Sequence, residues 1–220
     1  QEKAHSVGAP IIFAEEEQKI ITATPTSDGY TYETTLFGTL HGELGGDYQV
    51  KNTNTVLNAV LQLIASGYNI SVENIQTGFS TVCSSTGLMG RWQRLQHHPT
   101  VVCDAGHNIG GVTEIVRQLM RQNYKSLRIV FGMVNDKEID EVLAIMPKEA
   151  TYYFTQASIK RAMPAEELQA KAAHYGLKGD CYPTVEKALQ AAEADSAASD
   201  FIFVGGSCFI VADLLTSVNA

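Results

Sequence analysis

The sequence predicts a doubly wound α/β domain over its second half, preceded by a smaller piece of short strands and two helices. Three observations carry this. From about residue 100 onward, short apolar runs alternate with amphipathic segments of 9–15 residues. Those runs are apolar at successive positions rather than at every second one, as strands covered on both faces must be. Between the two textures lies CSSTGLMG, Cys83 to Gly90, rich in Ser, Thr and Gly and without periodicity, which reads as a linker.

Each element follows in chain order. Residues 9–41 hold the runs PIIFA, KIITAT and YTYETTLFGTL, parted by the acidic cluster Glu15 to Glu17 and the turn cluster Pro25 to Gly29, and these predict short strands. Over 48–82 the pattern turns helical. Val50, Val56, Leu57, Val60, Leu61 and Ile64 fall largely at three-to-four spacing until Gly67, and Ser71 with Asn74 opens a second helix that runs to about Cys83. Beyond the linker, the strand VVCDAG leads into a helix with Val112, Ile115, Val116, Leu119 and Met120 on one face. There follow LRIVFG, a helix from about Asp136 to Met146, ATYYFT, a helix from about Pro164 to Tyr175, GDCYP, a helix from Thr184 to Ala194, FIFVGG and a last helix to Val218. Strands joined through helices in this way build a mostly parallel sheet with right-handed crossovers.

Composition narrows the function. The 220 residues include 16 basic and 24 acidic side chains, a net charge of −8, which excludes nucleic-acid binding by broad phosphate neutralisation. With 45% hydrophobic and 18% charged residues the chain is globular with a sizeable core. The apolar stretch Phe201 to Ala212 is bounded by Asp200 and Asp213 and falls short of the ~20 residues a membrane helix needs, so no membrane partner is expected. The start, QEKAHSVGAP, has no apolar signal-peptide core, and a first residue of Gln predicts a chain either processed or cut from something longer. Cys83, Cys103, Cys181 and Cys208 form no CxxC, which predicts reduced, mostly buried thiols and a cytoplasmic location. His97-His98 before Pro99 lacks further metal ligands and reads as a surface turn.

In an open α/β sheet, ligands sit beyond the carboxyl ends of the strands. After VVC, Asp104 is placed to accept from hydroxyls such as those of a ribose, and His107 to act as a donor or general base. The alternative is that both only brace the loop, with Asn108 capping the next helix. After FIFV, Gly205-Gly206-Ser207 opens a helix whose start could hold a carboxylate or phosphate, or Ser207 serves as a cap alone. After LRIVF, Asp136 caps and Lys137 either faces solvent or reaches a phosphate. After ATYYFT, Arg161 could clamp a carboxylate in bidentate fashion. Four polar strand ends together point to a polyanionic or zwitterionic ligand. Neither GxxxxGK[ST] nor GxGxxG occurs, so a Walker A loop and a dinucleotide fingerprint are both absent from the sequence.

The series GRWQRL (90–95), PTVVCDAGHN (99–108), GMVNDK (132–137), KRAM (160–163), YPTVEKALQAA (182–192) and VGGSCFIVADLL (204–215) resembles the folylpolyglutamate synthase / dihydrofolate synthase family, the folate branch of the Mur-type amide ligases. Upstream, LHGELGGDYQVKNTNTVLNAVLQL (40–63) resembles that family's segment near the end of its central ATPase domain, with Tyr48 departing from a frequent His. The resemblance implies a C-terminal fragment. Residues 1–85 would be the remnant of a P-loop ATPase domain and 86–220 a Rossmann-like C-terminal domain. It implies an ATP-dependent ligase that adds L-glutamate to folate or dihydropteroate through an acyl phosphate. ATP and Mg²⁺ would be held mainly outside this chain, which would be inactive alone and monomeric. By motif position, Arg91, Asp104, Asn52 and Lys137 would contact ATP; His107, Ser207 and Arg161 would contact glutamate, with His107 also taking the proton of its amine. Lys3 carries no role, because the residues after it do not match the family's lysine motif. The competing readings are a Mur-type ligase for a peptidoglycan precursor and a non-catalytic nucleotide-binding module.

Overall fold

A computed structural model describes residues 1–135 and 139–218. The chain divides into two compact units, Gln1–Leu88 and Met89–Ala220.

In the first unit, α1 (Glu2–Ser6) precedes an antiparallel sheet of β1 (Ile20–Pro25), β2 (Tyr30–Thr34) and β3 (Gly38–Gly42), in that order. YTYETTLFGTL makes two strands rather than one, because Thr34 closes a tight reversal inside it: its Oγ1 accepts from Phe37 N (3.0 Å) and donates to Gly38 O (2.8 Å). PIIFA forms no strand, and Ile11 and Ile12 are exposed. The core joins Tyr30, Tyr32, Phe37 and Leu40 to Leu57 of α2 (Gln49–Ala65) and Ile75 of α3 (Val72–Ser80). The buried residues of α2 are mostly polar: Gln49, Thr53, Asn54 and Asn58 beside Leu57. Asn54 Oδ1 accepts from Lys19 N (2.8 Å) and Asn58 Nδ2 donates to Glu17 O (2.9 Å), so the helix satisfies the irregular backbone laid across it.

Ser71 and Asn74 form the reciprocal capping box expected of them at the start of α3. That helix stops at Ser80, and a further short helix, α4 (Val82–Thr86), occupies the first half of the expected linker. The hydroxyls of Ser84 and Ser85 donate back to Thr81 O and that of Thr86 to Val82 O, so residues that read as loop formers lie within a helical turn. Gly87, at φ +70, ends it.

In the second unit, six strands run in the order β4 (Gln93–His97), β5 (Thr100–Asp104), β9 (Phe201–Gly205), β6 (Leu127–Phe131), β7 (Thr151–Phe154) and β8 (Lys178–Cys181). All neighbours pair parallel except β4 with β5. β4 has no counterpart in the sequence reading, because an edge strand of Gln, Arg and His lacks an apolar run; the exposed His97 and His98 lie at its turn into β5. One face of the sheet (Val102, Ile129, Phe131, Tyr152, Phe203) packs on α5 (Ile109–Leu119), α6 (Ile139–Ile145) and α7 (Ala165–His174). The other (Val101, Cys103, Val130, Tyr153, Ile202, Val204) packs on α8 (Val185–Ala194) and α9 (Cys208–Val218). Alternate residues of each central strand thus serve opposite layers, the doubly wound arrangement. The four cysteines are free, but only Cys103 is fully buried, with its thiol pushed up to about 12 by burial; Cys208 is exposed, contrary to the expectation of mostly buried thiols. No helix among the described residues is long and apolar enough to cross a membrane.

At the amino end of the strands, Arg128 Nη1 lies 2.6 Å from Asp200 Oδ2, and its other terminal nitrogen donates to Asp195 O. The Ala197 N–H, ahead of the Arg128 charge, holds the Asp200 carboxyl below its usual range. A lowered folded value stabilises the fold above the ordinary carboxylate range and is lost as pH falls through it. Asp200→Asn, which leaves the half-buried Arg128 without its counter-charge, is expected to cost about 2 kcal/mol at neutral pH. In urea titrations this gap should narrow at and below about pH 4. A gap constant with pH would show that the charge of Asp200 is not what stabilises.

Candidate functional site

The loops after β5 and β6 turn toward the layer of α5 and α6, whereas the loop after β9, which lies between those two strands, turns toward α9 on the other face. Neighbouring loops that part in opposite directions leave a crevice beyond the carboxyl ends, where open α/β sheets bind ligands.

On its β5 side the crevice is organised by Asp104. Its side chain is 1% exposed; Oδ1 accepts from Gly106 N (2.8 Å) and Oδ2 from Trp92 N (2.7 Å). The carboxylate expected to face ribose hydroxyls braces the loop, the alternative kept for it, because two backbone N–H groups converge on it. Gly106 has no positive φ; a Cβ there would lie 2.4 Å from Ile115 Cδ1, the movable end of that side chain, and 3.2 Å from Asp104 Oδ1. Asn108 caps α5 as expected, accepting from Gly111 N (2.8 Å).

His107 is exposed, and its Nδ1 lies 3.1 Å from Ala105 O. A carbonyl can only accept, so Nδ1 carries the proton and Nε2 keeps a lone pair that can take one. Across the turn, Gly90 O accepts from Ala105 N (2.9 Å), which places Arg91 beside the same loop; its guanidinium is partly exposed and donates to its neighbour's carbonyl, Gly90 O, at 3.4 Å. Trp92, next in line, has φ +48 and is buried against Phe201 and Phe203, with ring centroids at 6.3 and 6.2 Å. The sequence reading missed it. The signal was a lone Trp directly after Gly90-Arg91.

On the β9 side, Ser207 is 2% exposed and its Oγ accepts from Phe209 N and Ile210 N, both at 3.2 Å. It caps α9, the alternative kept for it beside a glutamate contact, because both amides of the helix's first turn donate to its oxygen. Arg161 is exposed, with its guanidinium 4.9 Å above the Phe209 ring. The loop carrying it is fastened by Ser158, whose N and Oγ both donate to Asp213 (2.7 Å), and by the bridge between Val134 and Ala162. Arg161 therefore stands at the start of α9 on a fixed loop, a cation placed to receive a carboxylate. Lys137 and Asp136 lie outside the described residues.

Asn52 belongs to the first unit. It is exposed in the first turn of α2, donates to Gln49 Oε1 (3.0 Å), and lines a cavity of about 350 Å³ whose walls include Tyr32, Val56, Val60, Ile75 and Phe79. Among the described residues, no three of His, Cys, Asp and Glu come together as metal ligands.

Residues 90–208 match the family described as Mur ligase, glutamate ligase domain, and the chain belongs to that family. The dihydrofolate synthase/folylpolyglutamate synthase of Escherichia coli is 31% identical over 165 residues, which are 74% of this chain and 37% of that one. A probable bifunctional folylpolyglutamate synthase/dihydropteroate synthase of Haloferax volcanii is 27% identical over 175 residues, 78% of this chain and 20% of its own. Among solved structures, the folylpolyglutamate synthase of Mycobacterium tuberculosis, complexed with ADP and AMPPCP, shares the fold with TM-score 0.84 at 20% identity, covering 100% of this chain and 52% of that one. Within the family the chain therefore stands with the C-terminal portion of the folylpolyglutamate synthases / dihydrofolate synthases, and it spans about half the length of that solved relative.

Proposed function

We propose that the chain is the C-terminal part of an ATP-dependent ligase that joins L-glutamate to the carboxylate of a folate or dihydropteroate, with residues 1–85 as the tail of a P-loop ATPase domain and 86–220 as the glutamate-handling domain. What supports this is an exposed imidazole at His107, on the loop after β5, and a guanidinium at Arg161, set over Phe209 at the start of α9, both beyond the carboxyl ends of the same sheet.

The chemistry requires such a pair. A carboxylate resists attack until its oxygen becomes part of a leaving group, which ATP supplies by converting it to an acyl phosphate. The amino nitrogen of glutamate then bonds to the acyl carbon, the carbon–oxygen bond to phosphate breaks, and the nitrogen gives up a proton. His107 Nε2 takes that proton, while Arg161 holds a glutamate carboxylate and so orients the amine. Arg91, beside the same loop, takes the nucleotide end, and Asn52 remains assigned to adenine through motif position. The relatives support ATP as co-substrate: an Escherichia coli homologue, FolC, was solved with DHPP and ADP. Mg²⁺ is assigned mainly to residues outside this chain, since among the described residues no three of His, Cys, Asp and Glu come together.

Purified alone, the 220-residue chain should release no ADP and form no amide; joined to the P-loop-bearing part of the ligase, it should do both with dihydropteroate or a reduced folate. Turnover by the chain alone would overturn the division of labour. Product from a nucleotide-linked muramyl substrate, and none from folates, would move the chain to the peptidoglycan branch.

A further inference from the structure

Trp92 is the one residue other than glycine with a positive φ among those described, and it is buried within the site. Such a conformation persists only where surrounding groups impose it, and such residues gather at functional sites. Here the imposing groups are visible. Phe201 and Phe203 pack on the indole, and the Trp92 N–H is drawn to Asp104 Oδ2 at 2.7 Å. The second oxygen of the same carboxylate holds Gly106 N at 2.8 Å, directly before His107. Arg91 and His107 are thus each one residue away from a backbone amide that ends on Asp104.

We infer that Asp104 is a positioning residue that fixes the Arg91 turn and the His107 loop to one another, so that the two ends of the reaction, nucleotide and attacking amine, are placed by a single buried carboxylate. Both bonds are to backbone amides, so the coupling is independent of the side chains it positions. A carboxylate is the suitable group, since each of its two oxygens accepts and neither donates. Asparagine offers one accepting oxygen and one donating nitrogen, and can keep only one of the two amides.

The first test needs only the 220-residue chain, in which Trp92 is the single tryptophan. Amide hydrogen exchange is followed at Trp92, Gly106 and, as a measure of the intact sheet, Val204. In Asp104→Ala, Trp92 and Gly106 should both exchange at least tenfold faster with Val204 unchanged, and the indole emission should shift to the red. Should that variant not fold, Asp104→Asn replaces it, with one of the two amides accelerated and the other retained. Acceleration of neither amide in a folded variant overturns the inference.

The second test rests on the ligase reading. In the complete polypeptide, Asp104→Ala should raise the KM for ATP and for glutamate together, whereas Arg91→Ala raises the first and His107→Ala acts on the glutamate step. An Asp104 variant that reproduces either single variant alone overturns the coupling. A wild-type polypeptide that forms no amide would sink the ligase reading and leave the exchange result intact.

Discussion

Replacing His107 by alanine in the complete ligase should lower glutamate addition by about 10²-fold or more, the scale of a lost general base, while nucleotide affinity stays within a few-fold of wild type. The reason is local. His107 Nδ1 is committed to Ala105 O, so alanine removes an outward Nε2 that has no structural duty in the fold. The loop it leaves behind keeps its form, because Asp104, Gly106 and Asn108 set that form through backbone amides. Incorporation of labelled glutamate and calorimetric ADP binding, measured on the same preparation, separate the two effects. Equal loss of both would mean that His107 supports the loop rather than the chemistry.

The second large effect concerns stability. Gly206 has φ +99, and a Cβ added there would lie 2.6 Å from Gly132 O and 2.6 Å from Phe131 Cε2. The first of these is backbone and cannot rotate away, so Gly206→Ala combines a disfavoured dihedral with displacement of the β6 loop, a loss of about 3 kcal/mol. For a domain of this size that corresponds to a fall in Tm of roughly 10 °C. Gly176 is the control: its φ is +80 but an added Cβ there meets nothing within 4 Å, so Gly176→Ala should cost only about 1 kcal/mol. Equal melting points for the two variants would show that the close approach at Gly206 carries no energy.

These two residues also mark what the sequence made legible. The alternation of apolar runs and amphipathic helices from residue 100 onward located β5, β6, β7 and β9 and the helices between them, because burial of both sheet faces writes itself into consecutive apolar positions. β4 escaped for the converse reason: half-exposed at the sheet edge, its Gln93 to His97 carry no such record. Among the site residues, the strand-end rule singled out His107 and Arg161, which stand exposed on the loops after β5 and β7. It could not tell that Asp104 and Ser207 face inward, since that depends on which backbone N–H groups fold back upon them. The partner of Asp104 is Trp92, twelve residues earlier across a chain reversal, and no local period encodes that bond. Likewise, the buried asparagines of α2 left no apolar signal, because their contribution is to hydrogen-bond an irregular segment 35–41 residues away.

The position of β9 bears on how the domain is made. It is the last strand in the chain and yet sits between β5 and β6, pairing Thr100 to Phe201 on one side and Leu127 to Phe201 on the other. During synthesis, β5 emerges about a hundred residues and β6 about seventy residues ahead of the strand that joins them. Until then each offers an open apolar edge to any other nascent segment. The domain is therefore a late-closing structure, in which the central strand locks the sheet and the crevice forms in the same event. Ribosome-bound chains that stop short of Phe201 would need protection from association rather than time to fold.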